Sequence, residues 1–242
     1  MTLTSSLNHF LCSLSPYDAA LIEPHLRPVD LPRKTIFYNA EDIIERVYFP
    51  YSGIISIVVA MSGGNFVEAG MLGRNGIVGA GSALDGRWAL NTAISQADSS
   101  GMTIDAAILK RLAGESETIR SGLASQEQAL FAQTQQVAAC NALHEVEERL
   151  SRWLLHSHDL LENSTLPLTQ ELLSQMLGVR RTSVTLAARR LQQAGLINYH
   201  RGRIQILDVS SLQESCCECY AVINSHFSKL TGWSPNGRSA PA

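Results

Sequence analysis

Residues 168–206 read LTQELLSQMLGVRRTSVTLAARRLQQAGLINYHRGRIQI. Thr169 offers a capping hydroxyl ahead of apolar residues at helical spacing. Gly178 stops that helix, because its backbone reaches a positive φ that other residues resist. A second helix follows at about Arg180–Gln193. Val184, Ala187, Ala188 and Leu191 form its buried stripe, and Arg181, Thr185 and Arg189 align four residues apart on the opposite face. Gly195 ends it, and Leu196–Tyr199 and Arg203–Ile206 then flank His200-Arg201-Gly202 as a hairpin with a basic tip. Two helices across a glycine turn, followed by such a hairpin, predict a winged helix-turn-helix.

The charge pattern agrees. The 242 residues carry a net charge of −3, yet between Leu168 and Leu207 six arginines (Arg180, Arg181, Arg189, Arg190, Arg201, Arg203) face one acid, Glu171. An acidic body with one compact basic segment points to a polyanion partner, here double-stranded DNA. A helix of this width enters the major groove, arginine pairs bidentately with guanine, and small Ser183 and Thr185 allow close approach. Thr169 and Gln170 are placed for phosphate contacts, Arg180 and Arg181 for guanine, and Arg201 and Arg203 for phosphate or the minor groove. Thr182 and Arg189 complete the candidate surface.

Outward from this module, the first 25 or so residues predict one or two short helices broken at Pro16. Short β-branched and aromatic runs follow: Thr35–Tyr38, Arg46–Phe49, Ile54–Ala60, Phe66–Met71, Asn91–Gln96 and Gly101–Ile104. They alternate with turns such as Ser62–Asn65 and predict an antiparallel sandwich or barrel. Six glycines in Gly70–Gly86 are too many for a strand interior. From about Ala106 to Leu161 the pattern is helical. Ile119, Leu123, Gln126, Leu130, Gln133 and Val137 recur every three or four residues, a seam predicted to pair two copies of the chain as a homodimer, with an intramolecular core helix as the alternative. A second helix, about Leu143–Leu161, precedes a linker at Glu162–Ser164. Thr231–Ala242, rich in Gly, Ser and Pro, is expected to trail off.

The longest strongly apolar stretch, Gly53–Met61, is far short of a membrane span, and with no cationic start followed by an apolar run a secretory signal is not expected. The odd count of five cysteines matches no disulfide framework and fits the cytoplasm. Cys216-Cys217-Glu218-Cys219 contains a C-x-x-C, half a metal site, and reads as buried structural cysteines. A thiol-based redox regulator or enzyme using Cys216 and Cys219 is the alternative. His156 and His158 lie two apart, cannot chelate one ion, and read as surface or helix-end residues. No metal cluster, nucleophile elbow or carboxylate pair occurs in Thr35–Ile108, so neither enzyme activity nor a cofactor is expected.

From about Leu7 to Leu207 the chain resembles the Crp–Fnr family of bacterial transcription regulators. Leu168–Ile197 carries the likeness most fully, with Gly178 at the turn and Gly195-Leu196-Ile197 before the wing. The resemblance implies an α+β chain in four parts: a jelly-roll-like antiparallel β-roll effector domain (1–114), a long dimerisation helix (115–142), a winged helix-turn-helix (143–210), and a C-terminal helix and tail (211–242). It further implies DNA and RNA polymerase as partners and an effector whose identity stays open. Members that bind cyclic nucleotide carry a Gly-Glu-Leu turn and a later arginine pair. Here the turn reads Gly79-Ala80-Gly81 and the pair falls among Ala89, Leu90 and Asn91, which leaves a cyclic phosphate without its partner unless Arg74 or Arg87 serves a rearranged site. An N-terminal iron–sulfur centre needs about four thiolates, and only Cys12 is present. The recognition helix, Arg181-Thr182-Ser183-Val184-Thr185-Leu186, lacks a glutamate and a second arginine common in the family, so its operator should differ.

Overall fold

The computed structural model describes residues 7–161 and 165–235. It opens with α1 (His9–Ser13) and α2 (Pro16–Ile22), each capped by a side chain, Asn8 and Ser15. Pro16 stands at the first position of α2, where a missing N–H costs nothing.

Seven strands then make the N-terminal unit: β1 (Arg27–Leu31), β2 (Ile36–Tyr38), β3 (Arg46–Pro50), β4 (Ile55–Ala60), β5 (Phe66–Leu72), β6 (Thr92–Ser95) and β7 (Ser99–Asp105). They form two antiparallel sheets, ordered β1-β7-β3 and β2-β6-β4-β5. The sequence pattern predicts six of them. β1 escapes it because Pro28 and Pro32 read as punctuation, but β1 is an edge strand paired only with β7, where a proline is tolerated. Of the six clustered glycines only Gly70 lies within a strand.

The helical stretch is not continuous. Asp105 caps α3 (Ala106–Glu115), and Ser116 caps α4 (Glu117–Leu143) by accepting from the Ile119 N–H (3.2 Å). His144 takes an extended conformation and separates α4 from α5 (Val146–Leu161).

The predicted dimer seam is corrected here, since Ile119, Leu123, Gln126, Leu130, Gln133 and Val137 pack into their own chain. Ile119 and Leu123 join a core with Phe10, Leu109 and Leu112. Leu130 and Gln133 close over Gly70, where a Cβ would sit 2.8 Å from Gln133 Oε1 and 2.9 Å from Leu130 Cδ1. The Met71 N–H donates to Gln133 Oε1 (2.8 Å). Gln126 and Val137 are buried as well. The face left outside is a second row at spacings of three and four: Ser121, Ala124, Gln128, Phe131, Gln135, Ala138 and Ala142.

The C-terminal unit comprises β8 (Thr165–Leu166), α6 (Gln170–Leu177), α7 (Arg181–Gln193), β9 (Ile197–His200), β10 (Arg203–Ile206), α8 (Val209–Glu214) and α9 (Cys219–Thr231). β8 adds a third strand to the hairpin, giving the order β8-β10-β9. The predicted linker, 162–164, lies outside the described residues. The C-terminal segment is ordered further than composition indicates. Trp233 is buried edge-on against Phe227 (6.2 Å between ring centres), and the His9 ring bonds the Thr231 carbonyl (2.9 Å). Residues 236–242 lie outside the description.

One apolar core runs from Ile55, Ile57 and Met71 of the sheet, through Trp153, Leu154 and Leu160 of α5, to Leu173, Val184, Leu191 and Ile204 of the C-terminal unit.

Candidate nucleic-acid interface

Thr169 caps α6 by accepting from the Leu172 N–H (3.2 Å), and Gly178 ends it at φ +62°. The buried guanidinium of Arg149, on α5, donates to the Leu177 carbonyl and so holds the C-terminus of α6. α7 begins at Arg181 after an extended Arg180. Its inner face is the predicted one, with Val184, Ala187, Ala188 and Leu191 all buried.

Each predicted contact residue can now be placed. Arg180, Arg181, Thr182 and Arg189 are exposed on or beside α7, and Ser183 and Thr185 are half-buried there. The Thr185 hydroxyl donates to Gln170 Oε1 (3.0 Å), so the start of α6 is tied to the N-terminal half of α7. Arg201 and Arg203 are exposed on the wing, Arg201 with φ +46° at the tip of the hairpin. Thr169, Gln170, Arg181, Tyr199, Arg201 and Gly202 line one open cleft of about 470 Å³ between the helix ends and the wing. A cationic floor with amide and hydroxyl walls suits a phosphate-bearing strand. Arg190, one residue from Arg189, faces elsewhere and pairs with Glu147 of α5 at 3.5 Å. It braces α7 against the body.

The helix-turn-helix also leans on the β-roll. Val67 of β5 lies against Gly178, where a Cβ would stand 3.0 and 3.1 Å from its methyls, and Gln96 Nε2 approaches Met176 Sδ at 3.8 Å. Arg180 lies beside the β4–β5 turn, in a groove with Asn65 and Phe66. The Arg181–Thr185–Arg189 face is not covered by this contact.

In the β-roll, Gly79 (φ +85°) opens a 3-10 turn over Ala80–Leu84. The Gly81 N–H donates to Glu127 Oε1 of α4 (2.9 Å), and burial pushes the Glu127 carboxyl up. A carboxyl group from the chain itself thus holds an amide of the Gly79-Ala80-Gly81 turn. Arg74 sits by α1, its carbonyl accepting from the His9 N–H, and Arg87 is on an exposed loop.

The reading of His156 is revised, and the buried thiols find partners that the sequence does not show. His156 is buried against Tyr220, and burial with the nearby Arg152 charge brings its pKa down to about 3, so it stays neutral. The cysteines group across the fold instead of along the sequence: Cys140 Sγ lies 3.6 Å from Cys217 Sγ, and Cys219 Sγ lies 3.5 Å from His144 Nδ1. Cys216 packs at the edge of this group, its Sγ 3.9 Å from the Glu148 carbonyl oxygen. The neighbouring Cys217 thiol, and then burial, push the Cys140 thiol up. Cys140 and His144 carry no motif, because their partners lie more than 70 residues away.

Among the described residues no helix is long and apolar enough to cross a membrane. Residues 28–116 match the cyclic nucleotide-binding domain, and residues 148–215 match the Crp-like helix-turn-helix domain. The two lie in the order expected for Crp–Fnr regulators, and the chain belongs to that family of DNA-binding transcription regulators. Its fold is similar to that of FixK2 from Bradyrhizobium japonicum, at 15% identity over 79% of this chain and 98% of that one, with a TM-score of 0.68. A Crp/Fnr-family regulator from Eubacterium rectale is similar at 18% identity over 84% and 95%, with a TM-score of 0.64. The c-di-GMP-responsive regulator CLP of Xanthomonas campestris is similar at 17% identity over 80% and 100%, also with a TM-score of 0.64. No curated protein sequence matches the chain significantly.

Proposed function

We propose that the protein acts as a homodimer that reads a palindromic DNA site, each copy inserting the Arg181–Thr185–Arg189 face of α7 into the major groove. The observation that carries this reading is the exposure of those side chains on one face, next to a cleft shared with Thr169, Gln170 and Arg201. Arg181 contacts guanine, Arg180 assists it, and Arg201 and Arg203 hold phosphate or the minor groove. Regulators of this family act as dimers, and the outer row of α4 centred on Phe131 is the surface we assign to that contact. RNA polymerase is the further partner this role implies.

The β-roll functions without cyclic AMP. Its cassette turn offers Gly79-Ala80-Gly81 in place of an acid-bearing turn, and Glu127 already occupies the Gly81 amide that a phosphate would need. Saturating cyclic AMP should leave DNA affinity unchanged.

The test begins by selecting binding sequences from a random duplex pool with the full chain. Affinity for the selected site should fall steeply as salt rises, and Arg181→Ala should cost about 1–3 kcal/mol and relax preference at one position of each half-site. A variant that keeps both affinity and base preference removes Arg181 from the interface.

A further inference from the structure

We propose that Cys140, His144, Cys217 and Cys219 form a site for a single tetrahedral transition-metal ion of the Zn2+ class, clipping the end of α4 to the start of α9. The four donor atoms lie within 4.8 Å of one another, and Cys140, Cys217 and Cys219 are all buried. Zinc takes sulfur at about 2.3 Å and nitrogen at about 2.0–2.1 Å, so a regular tetrahedron has S···S edges of about 3.8 Å and S···N edges of about 3.6 Å. The Cys140–Cys217 separation of 3.6 Å and the Cys219–His144 separation of 3.5 Å are edges of that size. They exceed a disulfide bond of about 2.05 Å by a wide margin. A cage this small holds one ion, whereas an iron–sulfur cluster spreads its thiolates around several metals and bridging sulfides. Three sulfurs and an imidazole also exclude Ca2+ and Mg2+, which take oxygen.

The surrounding groups orient the donors as metal ligands are usually oriented. His144 turns Nδ1 toward Cys219 and points Nε2 at Glu218 Oε2 (3.3 Å), the carboxylate–histidine arrangement that fixes the ring's tautomer. Gln136 Nε2 donates to Cys219 Sγ (3.1 Å), a bond that favours thiolate. Cys140 and His144 are one helical turn apart, and the His144 N–H closes the last turn of α4 on the Cys140 carbonyl (3.0 Å). His144 is also the residue at which α4 gives way to α5, so a bound ion would set the angle at which the C-terminal unit leaves the long helix.

The test uses the full chain, purified anaerobically with reductant, stripped with a chelator and titrated with Co2+. The expected result is one Co2+ per chain, with thiolate-to-cobalt charge transfer, the intense visible bands of a four-coordinate ion, and displacement by Zn2+. Cys217→Ser and His144→Asn should abolish that spectrum, Glu218→Gln should weaken binding by about 10–100-fold, and Cys216→Ser should leave it unchanged. If the ligand variants do not fold, alkylation of the parent chain decides instead: Zn2+ should protect Cys140, Cys217 and Cys219 while Cys12 stays reactive. A weak six-coordinate cobalt spectrum, a Cys216→Ser loss equal to that of Cys217→Ser, no protection by Zn2+, or iron purifying with acid-labile sulfide would each overturn the assignment. None of these readouts involves DNA, so the result stands apart from the DNA-binding proposal.

Discussion

Glu68 shows how one buried side chain gives the chain a pH dependence. It lies on β5, accepts from Ser56 Oγ (2.5 Å) and from Trp153 Nε1 of α5 (2.9 Å), and burial pushes its pKa up to about 7. In the unfolded chain the same carboxyl ionises near 4.5. Between those values the folded state holds a proton that the unfolded state has lost, so this group's contribution to stability falls as pH rises and is least favourable above about 7. Glu68→Gln keeps the shape and both partners without the charge. It should stabilise the protein by about 2–3 kcal/mol at pH 8, with the gain fading below pH 5. Urea titrations of both proteins across that range check it, and a gain independent of pH would mean that the Glu68 carboxyl ionises in the folded chain at its ordinary value. His156 acts in the opposite sense: it is neutral when folded, with a pKa of about 3, and its contribution is lost as pH falls below its ordinary value of 6.5. Neither effect is visible in the sequence, where Glu68 lies within the predicted strand Phe66–Met71 and His156 reads as a surface or helix-end residue.

At the scale of the element, α4 carries two heptad rows, and this is why its spacing misleads. Ile119, Leu123, Gln126, Leu130, Gln133 and Val137 repeat by four and three, and so do Ser121, Ala124, Gln128, Phe131, Gln135, Ala138 and Ala142. Periodicity says that a row is buried without saying in what. The more apolar row went to the chain's own β-roll, α3 and α9, leaving the row of small residues with Phe131 at 63% exposure. Phe131→Glu should therefore convert the proposed dimer to a monomer by light scattering while leaving the thermal midpoint of the monomer nearly unchanged. Leu123→Glu, by contrast, buries an unpaired charge and should prevent folding. Retention of a full dimer by Phe131→Glu would move the interface off this face.

At the scale of the molecule, the sensor-like and DNA-binding units share a core, and α5 is the strut between them. Trp153 is fully buried where the two meet and also supplies a donor to Glu68. Trp153→Ala should cost about 3–5 kcal/mol in denaturant unfolding. Both units should lose stability together in one transition, followed by tryptophan fluorescence and by far-ultraviolet circular dichroism; separate transitions would mean that the core is not cooperative. The sequence by itself determined the helix-turn-helix, its inner stripe and its arginine face, and six strands of the β-roll, because each rests on local rules: a turn that needs glycine, a period of 3.6 or 2, a cap one turn ahead of a helix. Only the tertiary structure decided which row of α4 is spent inside the chain, that Glu127 bonds the Gly81 amide, and that Cys140 and His144 meet Cys217 and Cys219. Those depend on contacts between residues tens of positions apart, which no local pattern encodes.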